Sequence, residues 1–157
     1  MASLEAAPRY SGLLFYQGPS TPHGPFASDD ELWQSLVHVL GKLPEKARDA
    51  MRKRLPPYAP FTFSHGDTAT VNIMVKNGNL TVIIDWDGSG YFPVWWEYAA
   101  TLIAISKEDL EWKELLASKM QPFEEANKFW PILHYLREYP DLSDEIRGIL
   151  EEELLRD

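Results

Sequence analysis

The residues whose types permit chemistry are concentrated between positions 64 and 87. The stretch SHGDTATVNIMV (64–75) contains Asp67 and Asn72, and Asp85 follows at the end of LTVIID (80–85). Carboxylate and amide oxygens are ligands that Mg²⁺ takes, usually together with water and substrate phosphates. A free carboxylate near such an ion can accept a proton from a hydroxyl group. The three side chains therefore predict phosphoryl transfer, provided that the fold brings them together.

A β-hairpin is predicted to bring these side chains together. NIMV (72–75) and LTVIID (80–85) flank KNGN, and Asn77-Gly78 is a strong hairpin signal because both turn positions need a positive φ. Asn72 begins one arm of this hairpin and Asp85 ends the other, so we expect them side by side at the same end. Asp67 precedes the first arm in a loop.

The rest of the chain is predicted to be mostly helical. The signals are capping residues, helical spacing of apolar residues and terminating glycines or prolines. They predict helices over SDDELWQSLVHVLG (28–41), PEKARDAMRKRL (44–55), VWWEYAATLIAI (94–105), SKEDLEWKELLASKM (106–120), PFEEANKFWPILHYLREY (122–139) and LSDEIRGILEEELLRD (142–157). We expect Pro131 to kink or split the fifth of these helices. FTFS (61–64) is predicted as a strand and GSGYFP (88–93) as a turn.

These elements define the predicted fold class, which is an α+β domain, mostly helical, with one small β-hairpin. Residues 1–27 are rich in Pro, Gly and Ser, and we predict that they form an irregular arm. Residues 28–157 form the single predicted domain.

Composition and charge exclude several classes of function. The chain has no Cys, which excludes disulfides, thiolate catalysis and cysteine-based zinc sites. Its net charge of −9 makes nucleic acid an unfavourable partner. The N-terminus lacks the pattern of a secretory signal, and no apolar run reaches the length of a membrane span. We therefore expect a cytoplasmic protein with neither nucleic acid nor membrane as partner.

The motif as a whole resembles a known family. His65-Gly66-Asp67, four residues, Asn72, a hairpin and then IIDWD (83–87) are similar to the pattern of the aminoglycoside phosphotransferase and choline kinase superfamily. The flanking stretches GPFASDDELWQSL and YFPVWWEYA resemble fungal members of that superfamily. The resemblance spans residues 24–105.

The resemblance implies a protein-kinase-like fold and a role for each motif residue. Asp67 would be the catalytic base that orients the acceptor hydroxyl, and His65, also assigned to the catalytic site, would mainly brace the loop. Asn72 and Asp85 would hold Mg²⁺.

A kinase-like enzyme also carries a β-rich lobe before this motif, in which a glycine-rich loop and a strand lysine hold the nucleotide phosphates. The 64 residues before His65 show neither, and the first lysine, Lys42, lies between two predicted helices. We therefore expect a kinase-like C-terminal lobe with the N-terminal ATP-binding lobe missing. The surface that would have faced the missing lobe has three possible fates. It would be covered by residues 1–27, covered by a second copy of the chain in a homodimer, or converted into a pocket.

Aromatic residues around the motif predict a substrate pocket for a hydrophobic small molecule. The residues assigned to this pocket are Trp86, Asp87, Tyr91, Phe92, Trp95 and Trp96, and the same aromatic group includes Phe15, Tyr16 and Phe26 of the arm.

Three functions remain open at this point. The first, preferred because of the missing lobe, is a repurposed protein of fungal secondary metabolism. It would bind an apolar small molecule and promote a cyclisation, cycloaddition or isomerisation without ATP or another cofactor. The second is a phosphotransferase acting on a small hydroxylated molecule with Mg²⁺ and ATP, the other lobe being supplied separately. The third is a non-catalytic binding module derived from a kinase.

Overall fold

A computed structural model describes residues 26–41, 43–139, 141 and 143–155. Within these residues the fold is mixed α/β, about half helical, with two small antiparallel sheets. The helices are α1 (Asp29–Leu36), α2 (Glu45–Arg54), α3 (Trp96–Ala100), α4 (Lys107–Ala117), α5 (Glu124–Glu138) and α6 (Asp144–Leu154). The strands are β1 (Phe61–Ser64), β2 (Ile73–Lys76), β3 (Asn79–Ile83) and β4 (Gly90–Pro93), and short 3₁₀ turns cover Val37–Leu40 and Thr70–Asn72. None of the described helices has the length and apolar character that crossing a bilayer requires.

The predicted arm lies almost entirely outside the described residues, as do Phe15 and Tyr16. Phe26, at the start of the described part, packs partly buried against the hydrophobic core.

Three helices begin at a serine, as predicted for Ser28 and Ser106 and not for Ser143. Ser28, Ser106 and Ser143 each accept a hydrogen bond through the side-chain oxygen from the backbone N–H three residues later. Such a cap satisfies one of the donors that a helix start leaves without a helical partner. The serines thereby fix where α1, α4 and α6 start.

The β2–β3 hairpin forms with the predicted turn. Asn77 and Gly78 have φ values of +52° and +76°, and Ile73 pairs with Ile83. Beyond that pair the Ile84 N–H donates to the carbonyl of Asn72 at 3.0 Å. The hairpin therefore brings the backbone of Asn72 next to the end of β3, one residue before Asp85.

The second sheet was not predicted, because GSGYFP was assigned to a turn. Its last four residues form β4, which pairs antiparallel with β1 so that Ser64 lies opposite Gly90 and Phe61 opposite Pro93. The two strands are more than twenty residues apart in sequence, so no local turn signal reveals the pairing. This sheet holds the residue before His65 in a fixed position.

The hydrophobic core lies between the helices. It contains Leu32, Leu36, Leu40, Met51, Phe92, Trp95, Trp96, Phe129, Trp130 and Leu133. Helix α5 contributes to it from one face and packs against α2 and α3. The core thereby backs the loop that carries Asp67.

The buried helix predicted over VWWEYAATLIAI is much shorter than expected. Helix α3 covers only Trp96–Ala100, and the chain then turns. Both the N–H and the hydroxyl of Thr101 donate to the carbonyl of Tyr98, at 3.0 and 2.7 Å. This tighter bonding ends the helix, so Ile103 and Ile105 lie in an irregular segment rather than on a helical face.

Helix α5 is not split by its proline. It runs without interruption from Glu124 to Glu138 with Pro131 inside it. Proline removes one helical hydrogen bond, but Phe129, Trp130 and Leu133 around it are buried in the core. Their burial outweighs the lost bond and keeps one continuous helix.

Candidate active site

The Asn72 side chain holds the Asp67 loop. Its Nδ2 donates to the Asp67 carbonyl at 3.0 Å and to the Asp67 carboxylate at 3.1 Å. Two acceptors facing one nitrogen fix which end of the amide points at Asp67, because only the NH₂ group donates. The amide oxygen of Asn72 therefore remains as a ligand atom on the other side.

His65 ties the same loop to the end of β3. Its Nδ1 accepts from the N–H of Asp67 at 3.2 Å, so Nε2 carries the ring proton and donates to the carbonyl of Ile84 at 2.9 Å. The ring also meets Trp86 edge-on, with centroids 4.5 Å apart. Both ring nitrogens are thus bonded to backbone groups, which fits the bracing role. A catalytic role for His65 stays a prediction.

Asp85 follows β3 in an unusual backbone conformation. Its φ is +62°, a left-handed value that non-glycine residues adopt rarely and Asp more often than most. The next residue, Trp86, closes the turn with its indole N–H on the carbonyl of Ile83 at 2.7 Å. Backbone strain of this kind is found preferentially at functional sites. The exposed Asp85 is therefore a candidate ligand residue on conformational grounds as well.

The residues at this end of the hairpin fit a Mg²⁺ ion shared with a substrate. Asn72 would offer its amide oxygen and Asp85 its carboxylate, both hard oxygen ligands. Among the described residues no three His, Asp or Glu side chains come together as a metal cluster. Mg²⁺ is usually held by one or two carboxylates and completes its shell with water and phosphate oxygens.

The loop is also held from its other side by residues that sequence reasoning missed. Glu97 accepts from the N–H of Gly66 at 3.0 Å, and Asp109 accepts from the N–H of Thr70 at 2.7 Å. The Trp112 indole donates to the carbonyl of Thr68 at 2.8 Å. These partners come from α3 and α4, at least thirty-one residues further along the chain, so no local pattern points to them.

Asp109 is fully buried and paired with Lys113. The Lys113 ammonium lies 3.2 Å from its carboxylate and also donates to the carbonyl of Ile103 at 2.6 Å. Burial alone would raise the pKa of Asp109. Hydrogen bonds from the N–H groups of Thr70 and Ile105, together with Lys113, outweigh burial and lower that pKa below its usual value. Asp109 therefore stays ionised at neutral pH and anchors the turn before Asn72.

A cavity of about 220 Å³ borders the loop at Gly66 and Asp67. Its remaining walls come from α3, the irregular segment after α3, α4 and α5. Asp67 thus lies between the hairpin end with Asn72 and a separate recess. The carboxylate of Asp67 can therefore face one ligand at the hairpin end and another in the cavity.

Comparison with known families shows the family of the chain. The model of the phosphotransferase enzyme family, APH, matches residues 8–124. The chain belongs to this family. The match contains the whole Asp67, Asn72 and Asp85 arrangement and ends where α5 begins. No curated protein and no solved structure matches the chain.

The residues predicted to line the substrate pocket of this family member do not share one location. Phe92 and Trp95 are buried in the core, whereas Trp86, Asp87 and Tyr91 are exposed. Trp96 alone of the six lines the cavity beside Asp67. Trp86 and Tyr91 instead flank Phe63, which stacks on Trp86 with centroids 6.1 Å apart.

Gly66 is expected to tolerate a side chain less well than Gly78. Both have a positive φ, near +79° and +76°, so an added methyl group costs about 1–2 kcal/mol in backbone strain at either position. At Gly66 the new Cβ would also lie 2.8 Å from Nε1 of Trp96, whereas at Gly78 nothing lies within 4 Å. Chemical unfolding should therefore show a larger loss of stability for Gly66→Ala than for Gly78→Ala. Equal losses would show that the Trp96 contact does not constrain the loop.

Proposed function

We propose that the chain transfers a phosphoryl group from a Mg²⁺-bound nucleoside triphosphate to the hydroxyl group of a small molecule. The observation that carries the proposal is the Asp67 carboxylate, held 3.1 Å from the Asn72 amide nitrogen at the hairpin end that leads into Asp85. Membership of the phosphotransferase family supports the same function.

In the proposed reaction each residue has a distinct task. The hydroxyl oxygen of the acceptor attacks the γ-phosphorus of the triphosphate. The bond between this phosphorus and the β–γ bridging oxygen breaks, and the nucleoside diphosphate leaves. Asp67 orients the hydroxyl and takes its proton. Asn72 and Asp85 would hold Mg²⁺, which neutralises charge on the phosphate oxygens when bound. His65, Glu97 and Asp109 keep the loop in position.

Calorimetric titration of the full chain with ATP, with and without Mg²⁺, tests the proposal. We expect ATP to bind only with Mg²⁺, and Asp85→Asn to weaken that binding by about tenfold or more. Asparagine suits this test because it also tolerates a positive φ. Asp49→Asn, which removes an exposed acid on α2, is the matched control and should bind as the wild type does. Absence of binding at about 1 mM nucleotide would overturn the proposal.

A second function is an ATP-independent cyclisation, cycloaddition or isomerisation of an apolar ligand in fungal secondary metabolism. The observation that favours an apolar ligand is the mainly apolar wall of the cavity beside Asp67. Conversion of such a ligand in the absence of nucleotide would establish it.

The homodimer and the cytoplasmic location stay predictions. Exposed apolar side chains lie on both small sheets, among them Phe63, Met74, Val75, Leu80 and Tyr91. Exposed apolar patches on soluble proteins often mark interaction surfaces, so these residues are where a covering partner is expected.

A further inference from the structure

The β2–β3 hairpin has one continuous apolar face. Met74 is paired with Val82, and after a register shift Val75 is paired with Leu80. Paired residues of neighbouring strands lie on the same face, and so do residues two apart in one strand, as Leu80 and Val82 are. The register shift therefore puts Met74 and Val75 on one face although they are neighbours in sequence. Ile84 follows Val82 by two residues, is still hydrogen-bonded across the hairpin and extends this face.

This apolar face is turned to solvent. Its five side chains are between 42% and 61% exposed, whereas Ile73 and Ile83, which form a pair on the opposite face, are only partly exposed. A two-stranded hairpin is at best marginally stable in water unless it packs against another element. Within the described part of the chain no element covers the exposed face. The hairpin is therefore a surface that a partner can stabilise.

Exposed aromatic rings continue this surface at the base of the hairpin. Trp86 donates to the carbonyl of Ile83, Phe63 stacks on Trp86, and Tyr91 meets Phe63 edge-on. With these rings, the exposed apolar side chains offer an area on the order of 500 Å². That area matches the apolar share of the roughly 800 Å² that each partner buries in a standard protein–protein interface.

The two ends of this surface carry opposite charges. Lys76 lies at the tip of the hairpin, beside the turn, whereas Asp85 and Asp87 lie at its base on either side of Trp86. All three are exposed, and within the described residues none of them has an ion-pair partner. The surface thus consists of an apolar centre with a cation at one end and two acids at the other.

A second copy of the chain fits this pattern when a two-fold axis relates the two. A two-fold interface is self-complementary, because each contact between two different residues is made twice. With the hairpins face to face and antiparallel, the tip of each lies against the base of the other. Lys76 of each copy then meets the acids of the other, and the apolar centres meet each other.

We propose that two copies of the chain associate through this surface, with the apolar hairpin faces in contact and Lys76 of each copy beside Asp87 of the other. The interface is independent of the proposed phosphoryl transfer. Burial of the apolar area stabilises the dimer, whereas the charged ends set the relative orientation of the copies.

Sedimentation velocity of the full chain over a range of concentrations tests the association. Physiological ionic strength suits the experiment, because it screens the net charge of −9 that each copy carries beyond about 8 Å. We expect a dimer with a dissociation constant of about 10 µM or lower, within the range of standard interfaces.

Two substitutions on neighbouring residues of β3 locate the interface. Val82→Lys puts an ammonium group into the apolar face and should weaken dimerisation by at least about 30-fold, the effect of losing a central contact. Thr81→Lys is the matched control, because it adds the same charge at an exposed position on the opposite face. It should dimerise as the wild type does, and thermal unfolding shows whether both variants fold.

A charge exchange tests the orientation. Lys76→Glu and Asp87→Lys should each weaken self-association by at least about fivefold, because each places like charges opposite one another. An equimolar mixture of these two variants should associate within about threefold of the wild type, since every charged contact between the two different chains then joins opposite charges. Asp87 is used rather than Asp85, which belongs to the candidate metal site.

Three outcomes would overturn the inference. They are a monomer at about 100 µM, equal effects of Val82→Lys and Thr81→Lys on dimerisation, and failure of the two charge variants to associate with each other. A monomer that Val82→Lys destabilises more than Thr81→Lys does would assign the face to another segment of the same chain, such as residues 1–25. No nucleotide is present in these measurements, so their outcome does not depend on catalysis.

Discussion

Replacement of Asp67 by Asn is expected to lower the rate of phosphoryl transfer by about 10²–10⁴-fold, the range for loss of a general base. Asparagine has the same shape and keeps an oxygen for the hydrogen bond from Asn72, so the loop should keep its structure. Only the ability to accept the hydroxyl proton is lost. Initial rates with saturating Mg-ATP and acceptor measure this effect.

The control for Asp67→Asn is again Asp49→Asn, which removes the same charge from an exposed position on α2. It should leave the rate unchanged. Affinities for acceptor and Mg-ATP should be similar in both variants, because Asp67 acts mainly on the chemical step. A rate for Asp67→Asn within about threefold of the wild type would show that Asp67 is not the base, since one hydrogen bond alone contributes that much.

Replacement of Asp109 by Ala is expected to cost about 3–5 kcal/mol of unfolding free energy, the range for breaking a buried ion pair. Asp109 is fully buried, and its loss leaves the ammonium of Lys113 buried without its charge partner. The N–H groups of Thr70 and Ile105 lose their acceptor as well. Urea unfolding followed by tryptophan fluorescence measures the loss.

Helix α4 carries a matched control for this variant. Lys107 and Glu111 form an ion pair with the same spacing of four residues, 3.9 Å apart, but both are exposed. Glu111→Ala should therefore cost less than about 1 kcal/mol. If the two substitutions had similar effects, the buried pair would not anchor the catalytic loop.

The Asp109 anchor also predicts how stability depends on pH. The folded-state pKa of Asp109 is lowered from 3.8. Its contribution to the stability of the fold is therefore fully present above that value and is lost as the pH falls through the folded-state pKa.

The pKa of His134 is also lowered, from 6.5, because burial favours the neutral ring. The unfolded chain therefore binds this proton first, and stability should begin to fall below about pH 6.5. His134→Gln should remove this first part of the pH dependence.

The elements that sequence predicts well are those whose determinants are local. Ser28 and Ser106 cap helices through bonds that span three residues, and Asn77-Gly78 forms its turn from two adjacent residues. The turn sets the pairing of Lys76 with Asn79, and a register shift between Met74 and Val75 then places Ile73 opposite Ile83, which brings Asn72 next to the end of β3. A short stretch of sequence therefore contains much of the geometry of the site.

What sequence does not predict depends on distant partners. Strand β4 pairs with β1 across more than twenty residues, and Glu97 and Asp109 reach the Asp67 loop from separate helices. Aromatic composition is equally uninformative, because a large ring serves a core or a pocket equally well. Trp95 and Trp96 are neighbours in sequence and both lie in the core, but only Trp96 also borders the cavity.

The most direct test of the central claim is to incubate the full chain with Mg²⁺, ATP labelled at the γ-phosphate, and a set of small alcohols that includes glycerol. The account predicts that label moves to the hydroxyl of an alcohol, that chelating Mg²⁺ stops the transfer, and that Asp67→Asn nearly abolishes it. Label that stays on ATP, or that appears only as inorganic phosphate with every alcohol, would contradict the assignment of Asp67, Asn72 and Asp85 as a phosphotransferase site.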